Sequence, residues 1–393
     1  MNSMKLSITI LLSIIIVALT GCRRTSAPKE PANPANSSTA TAEQLNHPAG
    51  GTTPVADVKY FRGSIGNALG LQMKLTREGE KLWGSYFYQK VGTKIDLRGT
   101  IDSNGYLTLE EFDPEGKQTG VFKGIWQTKN DDGLVAIAGN WSKPNGDKKT
   151  AFSLHQEPIE FSGGSTEVTS KSIKETNKKL KYEIDAEYPQ ISGASDSRFD
   201  KFNQEAKSLA AAEAARFRKE MAEWAADQAE LENQDPQLGS SLDIWYSVSL
   251  ATDDLISTQF NIGRYFQGAA HPNSNSRVLN YDLKAGKAIR LTDLFKPGTK
   301  YLQTISSYAI KDLKKQSQSK GGESMFDDEW LQKGAGADAD NYQSWVITKK
   351  GLGITFDSYQ VAPYAAGPQY VLIPYSALKD IIKPDGPLAQ FVK

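Results

Sequence analysis

Cysteine and histidine are scarce in this sequence. Its 393 residues include one cysteine and three histidines. One cysteine cannot supply an intramolecular disulfide, an iron–sulfur cluster, a CxxC redox pair or a cysteine-rich zinc site. The histidines, His47, His155 and His271, are widely separated and match no HExxH motif or other dense ligand spacing. We therefore expect no cofactor and no catalytic transition-metal site.

An excess of one charge is also absent. The 46 basic side chains, Lys and Arg, balance 46 acidic ones, so the formal net charge is zero. Binding to nucleic acid depends on a clustered excess of Lys and Arg, so this balance argues against a nucleic-acid partner. The length indicates about two domains and is sufficient for ordinary hydrophobic cores.

The apolar run at the N-terminus is short. It extends from residue 6 to residue 19, whereas a membrane-spanning helix needs about 20 residues. The run ends in Leu19-Thr20-Gly21-Cys22, which resembles the lipobox of bacterial lipoproteins. We expect residues 1–21 to be a lipoprotein signal peptide and Cys22 to be the lipidated first residue of the mature protein. The alternative is an ordinary signal peptide or anchor helix with an incidental cysteine.

The residues from Cys22 onward predict where the folded part lies. Arg23 follows the cysteine, which resembles the outer-membrane sorting class of lipoproteins. We therefore expect a lipid-anchored protein of the cell envelope, at the outer membrane and facing the periplasm if the source has two membranes. Residues 22–56 contain five prolines and no aromatic residue. Such a composition cannot offset the entropy of ordering, so this segment is predicted to be a disordered tether.

Residues 57–157 carry the pattern of an all-β domain. Short apolar or alternating runs are separated by glycine-containing turn signals at intervals of 11 to 17 residues. This spacing predicts an antiparallel meander of about eight strands, closed as a small barrel or folded as a sandwich. An apolar or aromatic residue recurs beside a glycine, which indicates close backbone approach or a bulge. The motif occurs in Phe61-Arg62-Gly63, Leu82-Trp83-Gly84, Leu97-Arg98-Gly99, Phe122-Lys123-Gly124 and Gly139-Asn140-Trp141.

Two groups of aromatic residues in this domain are candidate binding residues. Strand alternation places Tyr86 and Tyr88 on one face and Phe87 on the other. With Trp126 and Trp141, and beside neighbouring carboxylates, they are a candidate stacking platform for sugar rings. The alternative is that these aromatic residues pack in the sheet, where strands generally favour them.

Residues 160–393 predict a second domain of α+β class. Apolar residues at three-four spacing between 199 and 231 fit one face of a long helix over 197–232. Residues 316–341 are polar and glycine-rich, which is typical of a mobile surface segment. Strand and helix patterns are segregated along the chain, so we expect a mainly antiparallel sheet. The strand patterns cover 242–252, 255–265, 277–283, 345–348, 352–356 and 370–373, and a second helix pattern covers 301–314.

Several ordered motifs between about 160 and 385 resemble one family. They are Tyr188-Pro-Gln-Ile-Ser-Gly193, Gly268-Ala-Ala-His-Pro-Asn273, Asn280-Tyr-Asp-Leu-Lys-Ala-Gly286, Leu291-Thr-Asp-Leu-Phe295, Gly353-Ile-Thr-Phe356 and Val361-Ala-Pro-Tyr-Ala-Ala-Gly-Pro368. This set resembles the extracytoplasmic domain of unknown function shared by the anti-sigma factor RsiV and the peptidoglycan deacetylase PdaC. The resemblance implies an α+β fold in the bacterial envelope. It also implies two precedents, because the domain is a lysozyme receptor in RsiV and accompanies a catalytic domain in PdaC.

The loop around His271 is the first candidate binding site in this domain. His271 lies in a turn-rich loop near Asn273 and Arg277, and its imidazole can donate or accept a hydrogen bond. The alternative is a hydrogen bond that fixes the loop before Pro272.

An acidic region that includes Asp338 and Asp340 is the second candidate. It could attract Ca²⁺ or a basic protein such as lysozyme, although it lacks the ordered ligand pattern of a calcium loop. The alternative is a solvated loop.

The sequence as a whole predicts binding rather than catalysis. It contains no Gly-x-Ser-x-Gly nucleophile elbow, and the expected lipidation occupies its one cysteine. We predict an envelope binding or accessory protein whose ligand is a lysozyme-like protein or a cell-wall glycan such as peptidoglycan. The alternative is a carbohydrate-active enzyme of the cell wall that uses two carboxylates about 5 to 9.5 Å apart. No sigma-factor-binding part is evident, so RsiV-type signalling is not expected.

The predicted lipid anchor can be tested at one residue. Replacing Cys22 with alanine removes the acceptor thiol, so we expect Cys22→Ala to move the protein from the detergent phase to the aqueous phase. Detergent partitioning and intact mass measure the change. An unaltered partition, with no mass difference beyond the substitution itself, would rule out lipidation of Cys22.

Overall fold

The computed structural model describes most of the chain after the predicted tether. The described residues are 56–66, 69–88, 93–129, 133–162, 166–193, 196–227, 239–319 and 327–392. The predicted signal peptide, Cys22 and the tether up to residue 55 lie outside them.

The first part of the fold is a closed barrel of eight antiparallel strands. Each strand pairs with the next one along the chain, and the last strand pairs with the first. This arrangement confirms the predicted eight-strand meander and decides for a barrel over a sandwich. The strands are β1 Asp57–Ile65, β2 Leu69–Glu78, β3 Lys81–Tyr88, β4 Lys94–Ile101, β5 Tyr106–Phe112, β6 Gln118–Thr128, β7 Val135–Ser142 and β8 Thr150–Glu157.

The recurring glycines explain how closely neighbouring strands of the barrel approach each other. A Cβ atom on Gly63 would overlap the backbone oxygen of Ser153 on β8, and one on Gly99 would overlap the oxygen of Thr108 on β5. Only a residue without a side chain allows this close approach. The glycine motif is therefore structural, in agreement with the sequence prediction.

The second part of the fold is a seven-stranded mixed sheet. Its strands are β9 Ile159–Glu160, β10 Glu167–Asn177, β11 Tyr182–Ser192, β12 Ser240–Thr252, β13 Leu255–Tyr265, β14 Asn273–Asp282 and β15 Lys287–Ala288. The main order is β10-β11-β12-β13-β14-β15, and β9 pairs with β12. Most pairs are antiparallel, as expected, but β11 runs parallel to β12 and β9 runs parallel to β12.

The parallel pair follows from the long helix between its strands. Helix α1, Ser197–Asp227, lies between β11 and β12 in the chain, and parallel neighbours need such a long crossover connection. Its buried stripe includes Phe202, Ala206 and Phe217, which confirms the predicted apolar face. Among the described residues, no helix has both the length and the apolar character needed to cross a bilayer.

The third part of the fold packs helices on a small sheet. Its elements are α2 Tyr301–Ser319, α3 Asp328–Ala335, β16 Trp345–Ile347, β17 Gly351–Phe356, β18 Gln369–Pro374 and α4 Tyr375–Leu378. The predicted mobile segment 316–341 is partly wrong, because α2 extends to Ser319 and α3 lies within that segment. Asp327 caps α3 by accepting hydrogen bonds from the backbone N–H groups of Glu329 and Trp330. The polar composition concealed a short amphipathic helix.

A largely buried arginine connects the barrel to the mixed sheet. Arg62 on β1 donates a hydrogen bond from Nε to Glu157 Oε1 at 3.0 Å. Its NH1 lies 3.7 Å from Glu187 Oε2 on β11, and its guanidinium carbon lies 4.1 Å from the ring centroid of Tyr246 on β12. A buried cation between two carboxylates requires its partners, because each charge alone would be strongly disfavoured away from water.

Replacing Arg62 with leucine tests this connection. Arg62→Leu leaves the buried Glu157 and the partly buried Glu187 without their cation, so we expect the free energy of unfolding to fall by about 3–5 kcal/mol. Denaturant unfolding of the full chain, followed by tryptophan fluorescence, measures the change. The control is Arg290→Leu, which removes an exposed ion pair with Asp293 and should alter stability far less. Equal effects of the two substitutions would contradict this role of Arg62.

Candidate functional site

The predicted aromatic platform in the barrel is closed to solvent at Tyr86. Tyr86 is 1 % exposed, its hydroxyl donates to Glu111 Oε2 at 2.7 Å, and the Tyr88 hydroxyl lies 3.2 Å away. Trp141 Nε1 donates to the same carboxylate oxygen at 2.9 Å. Burial and the charge of Glu111 raise the pKa of Tyr86, so its hydroxyl remains a donor. Tyr86 therefore presents no open stacking face here, because this face of β3 lines the barrel interior, as in the alternative in which the aromatic residues pack in the sheet.

Two of the sequence motifs meet at the surface of the C-terminal part. The His271 and Tyr364 rings are stacked, with centroids 3.9 Å apart and planes inclined by 19°. The carbonyl oxygen of Pro272 accepts hydrogen bonds from His271 Nδ1 at 2.9 Å and from the Tyr364 hydroxyl at 3.0 Å. The hydrogen bond that fixes the His271 loop is thus present, and it also fixes the ring against Tyr364.

Tyr359 completes this surface group. It is 50 % exposed, its hydroxyl lies 3.5 Å from His271 Nε2, and its ring centroid is 5.4 Å from that of Tyr364. Its backbone has φ 69°, a left-handed conformation that costs a residue with a side chain about 1–2 kcal/mol. Such local strain is typical of functional sites. We refer to His271, Tyr359 and Tyr364 as the aromatic cluster.

The acidic segment lies next to the aromatic cluster. Trp330 Nε1 on α3 donates to the backbone oxygen of Tyr359 at 3.0 Å. Asp338 and Asp340 are exposed on the 3₁₀ turn that follows α3, where Asp338 Oδ1 accepts from the backbone N–H of Asp340 at 3.0 Å. In the described part of the chain, no three or more His, Cys, Asp or Glu side chains converge to hold a metal ion. We refer to residues 327–340 as the acidic segment.

Gln360 joins the acidic segment to the cluster. Its Nε2 donates to the backbone oxygens of Gly334 and Asn341, each at 2.9 Å. Its Oε1 accepts from the backbone N–H of Asp357 at 3.1 Å. One side chain therefore holds the turn that presents Tyr359 against the middle of the acidic segment and against the residue that follows it.

Asp357 joins the same turn to the mixed sheet. Its carboxylate accepts from the backbone N–H of Ser276 at 3.0 Å and from the Ser276 hydroxyl at 2.6 Å. The Ser276 hydroxyl also lies 2.7 Å from that of Ser344. These bonds fix β14, and the His271 loop before it, relative to Tyr359 and Tyr364.

The other two candidate binding residues of this loop, Asn273 and Arg277, lie in different surroundings. Asn273 is exposed at the first position of β14, two residues after His271. Arg277 faces α1 instead, where its Nε lies 3.7 Å from the buried Glu213. Glu213 also pairs with Arg264. Arg277 therefore belongs to an ion-pair network with α1.

Two known protein families match the regions that contribute the aromatic cluster. Residues 174–274 match the family described as "Deacetylase PdaC". Residues 292–376 match the family described as "Protein of unknown function (DUF3298)". The C-terminal region carries a PdaC domain followed by a DUF3298 domain. His271 lies in the PdaC domain, and Tyr359 and Tyr364 lie in the DUF3298 domain, so the cluster forms where the two domains meet.

Curated relatives match part of the chain. The chain is 27 % identical over 165 residues to peptidoglycan-N-acetylmuramic acid deacetylase PdaC of Bacillus subtilis, covering 42 % of this chain and 34 % of that protein. It is 28 % identical over 115 residues to immunogenic protein MPT64 of Mycobacterium tuberculosis, covering 29 % of this chain and 47 % of that protein. The chain thus spans between a third and a half of these relatives.

Two solved structures of DUF3298 proteins align with part of the chain. A Bacteroides fragilis member aligns with a TM-score of 0.40 and 18 % identity, over 58 % of this chain and 98 % of that one. A Pseudomonas aeruginosa member aligns with a TM-score of 0.35 and 17 % identity, over 56 % of this chain and 94 % of that one.

Substitution of Gln360 tests how the aromatic cluster is held. Gln360→Leu leaves three backbone groups without their side-chain partner, so we expect the protein to lose about 1–3 kcal/mol of stability. We also expect faster amide hydrogen exchange across residues 334–342. Gln343→Leu is the control, because the Gln343 side chain donates only within its own turn, to Ala339 and Asp340. If exchange at 334–342 stays the same in Gln360→Leu, Gln360 does not hold the cluster.

Proposed function

We propose that the chain is a cell-envelope binding protein that captures a basic, lysozyme-like protein through the aromatic cluster. The acidic segment would provide the rim of this surface, and no reaction would be catalysed there. The PdaC and DUF3298 domains support a cell-wall-related, extracytoplasmic role, as does the name of the Bacillus subtilis relative. Lipid on Cys22 would hold the protein at the membrane.

The observation that carries this proposal is the position of exposed aromatic rings beside acidic side chains. Exposed, rigidly held tyrosines are frequent anchors of protein interfaces. The acidic segment contributes Asp327, Asp328, Glu329, Asp338 and Asp340, against one basic residue, Lys333. Asp328 pairs with Lys314 at 2.7 Å, which leaves an acidic excess. An acidic rim attracts a basic partner and accelerates its association.

A cell-wall glycan is the second candidate ligand. The stacking of His271 on Tyr364 at 3.9 Å creates a flat surface of two rings. The apolar face of a sugar ring suits such a surface, as in other sites with a few polar groups around an aromatic wall. Peptidoglycan is therefore included in the binding experiment.

The state of the carboxylates supports binding over catalysis. A glycosidase needs two carboxylates that face a groove. Glu157 and Glu167 line one cleft of the described structure, but Glu157 is paired with Arg62 and Glu167 with Lys74. Those groups serve the fold.

Binding of hen egg-white lysozyme tests the proposal directly. The full chain in detergent micelles is passed over immobilised lysozyme, and the dissociation constant is measured at low and at physiological salt. We expect the double variant Tyr359→Ala/Tyr364→Ala to weaken binding at least about tenfold. We expect Asp338→Asn/Asp340→Asn to reduce the dependence on salt.

The control variant is Tyr106→Ala, since Tyr106 is also exposed but lies on the barrel. It should bind lysozyme as the unaltered chain does. Sedimentation with insoluble peptidoglycan gives the glycan result in parallel. If the protein binds neither lysozyme nor peptidoglycan at low ionic strength, the proposed function is refuted. Release of acetate or of reducing ends from peptidoglycan would show that the protein is an enzyme.

A further inference from the structure

A cleft lies between the barrel and the mixed sheet, away from the aromatic cluster. It is a cleft of about 450 Å³, with one wall from the barrel and the other from β10 and β11. This volume lies in the range of small-molecule sites. The strand register shows how the residues on its barrel wall are placed relative to one another.

Three barrel residues form a row along one wall of the cleft. Gln72 on β2 lies opposite Phe87 on β3, and Phe87 lies opposite Lys94 on β4. Neighbouring strands are about 4.8 Å apart, so the row spans about 10 Å. An amide, an aromatic ring and an ammonium group therefore follow each other over roughly the length of a sugar ring with its substituents.

Gln72 carries an acceptor that the described structure leaves unsatisfied. The residue is 5 % exposed, and its Nε2 makes long contacts of 3.4 Å with Glu157 and with the Tyr246 hydroxyl. Its Oε1 has no hydrogen-bond partner among the described residues. A buried acceptor without a donor is unfavourable, and a hydroxyl or N–H group entering the cleft would supply one.

The charges around the cleft favour an anion. Glu167 pairs with Lys74 at 2.6 Å, and Glu157 pairs with Arg62. Lys94 and Lys171 line the cleft, and no ion pair to either is present within the described ranges. Both carboxylates of the lining thus have a cation partner, although Arg62 is shared with Glu187. Two ammonium groups remain for a ligand.

Hydroxyl and amide side chains line the opposite wall. Thr169 and Gln190 are paired across β10 and β11, and Ser170 and Ser192 line the cleft beside them. Short side chains that both donate and accept hydrogen bonds suit a ligand with many hydroxyl groups. Together with the ring of Phe87, they indicate a sugar.

We propose that this cleft binds a mono- or disaccharide that carries a carboxylate. The carboxylate lies between Lys94 and Lys171, the sugar ring contacts Phe87, and a hydroxyl or amide group of the sugar donates to Gln72. This site is independent of the proposed function at the aromatic cluster, because none of its residues belongs to that surface.

Matched pairs of sugars test the proposal on the full chain. Ligand-observed NMR titrations compare glucuronic acid with glucose, and N-acetylmuramic acid with N-acetylglucosamine, because the members of each pair differ in the carboxylate-bearing group. Succinate serves as a carboxylate without a sugar ring. We expect at least one acidic sugar to bind about tenfold more tightly than its neutral partner and than succinate.

Variants of the lining locate the binding site. Lys94→Gln/Lys171→Gln and, separately, Phe87→Leu should each weaken binding of the acidic sugar about tenfold. Lys123→Gln, an exposed lysine elsewhere on the barrel, should leave binding unchanged. Equal binding of acidic and neutral sugars would overturn the proposal. So would equal binding of succinate, or full affinity in the double lysine variant.

Discussion

The arrangement of the two β structures depends on Arg62. Its guanidinium comes from the barrel, yet it lies against Tyr246 and Glu187 of the mixed sheet as well as Glu157 of its own barrel. NH1 and NH2 make no hydrogen bond within the described residues, so ring and ion-pair contacts hold this end of the side chain. Because a charge held away from water tolerates little displacement from its partners, these contacts restrict how β1 moves against β11 and β12.

A comparable constraint unites the two C-terminal domains. Asn280 of β14 donates to the backbone oxygen of Trp345 at 2.8 Å, and Ser257 accepts a hydrogen bond from the Ile347 backbone N–H at 2.9 Å. The hydrogen bonds between Asp357 and Ser276 continue this row of contacts toward the surface. The aromatic cluster lies at the outer end of this row of contacts. Its geometry therefore depends on residues from both domains.

Patterns with a short repeat allowed correct prediction of much of the fold. Regularly spaced turn glycines predicted the eight strands, and apolar three-four spacing predicted α1, because both patterns reflect local geometry. The parallel pairing of β11 and β12 escaped prediction, since strand partners are chosen across distant parts of the chain. Helix α3 escaped because two buried side chains, Leu331 and Ala335, leave a weak apolar signal.

For the candidate sites too, some features could be predicted from the sequence and others could not. The sequence alone named His271 as a candidate by its turn-rich loop, the acidic residues by their density and Cys22 by its position after the apolar run. It could not show that Tyr86 faces inward with Glu111, nor that Gln360 holds Tyr359 beside His271, 88 residues earlier in the chain. Local residue order determined the strands, turns and α1 helix, because those depend on neighbouring residues. Only the tertiary structure decided which side chains share a surface, because burial and long-range contacts depend on how the whole chain packs.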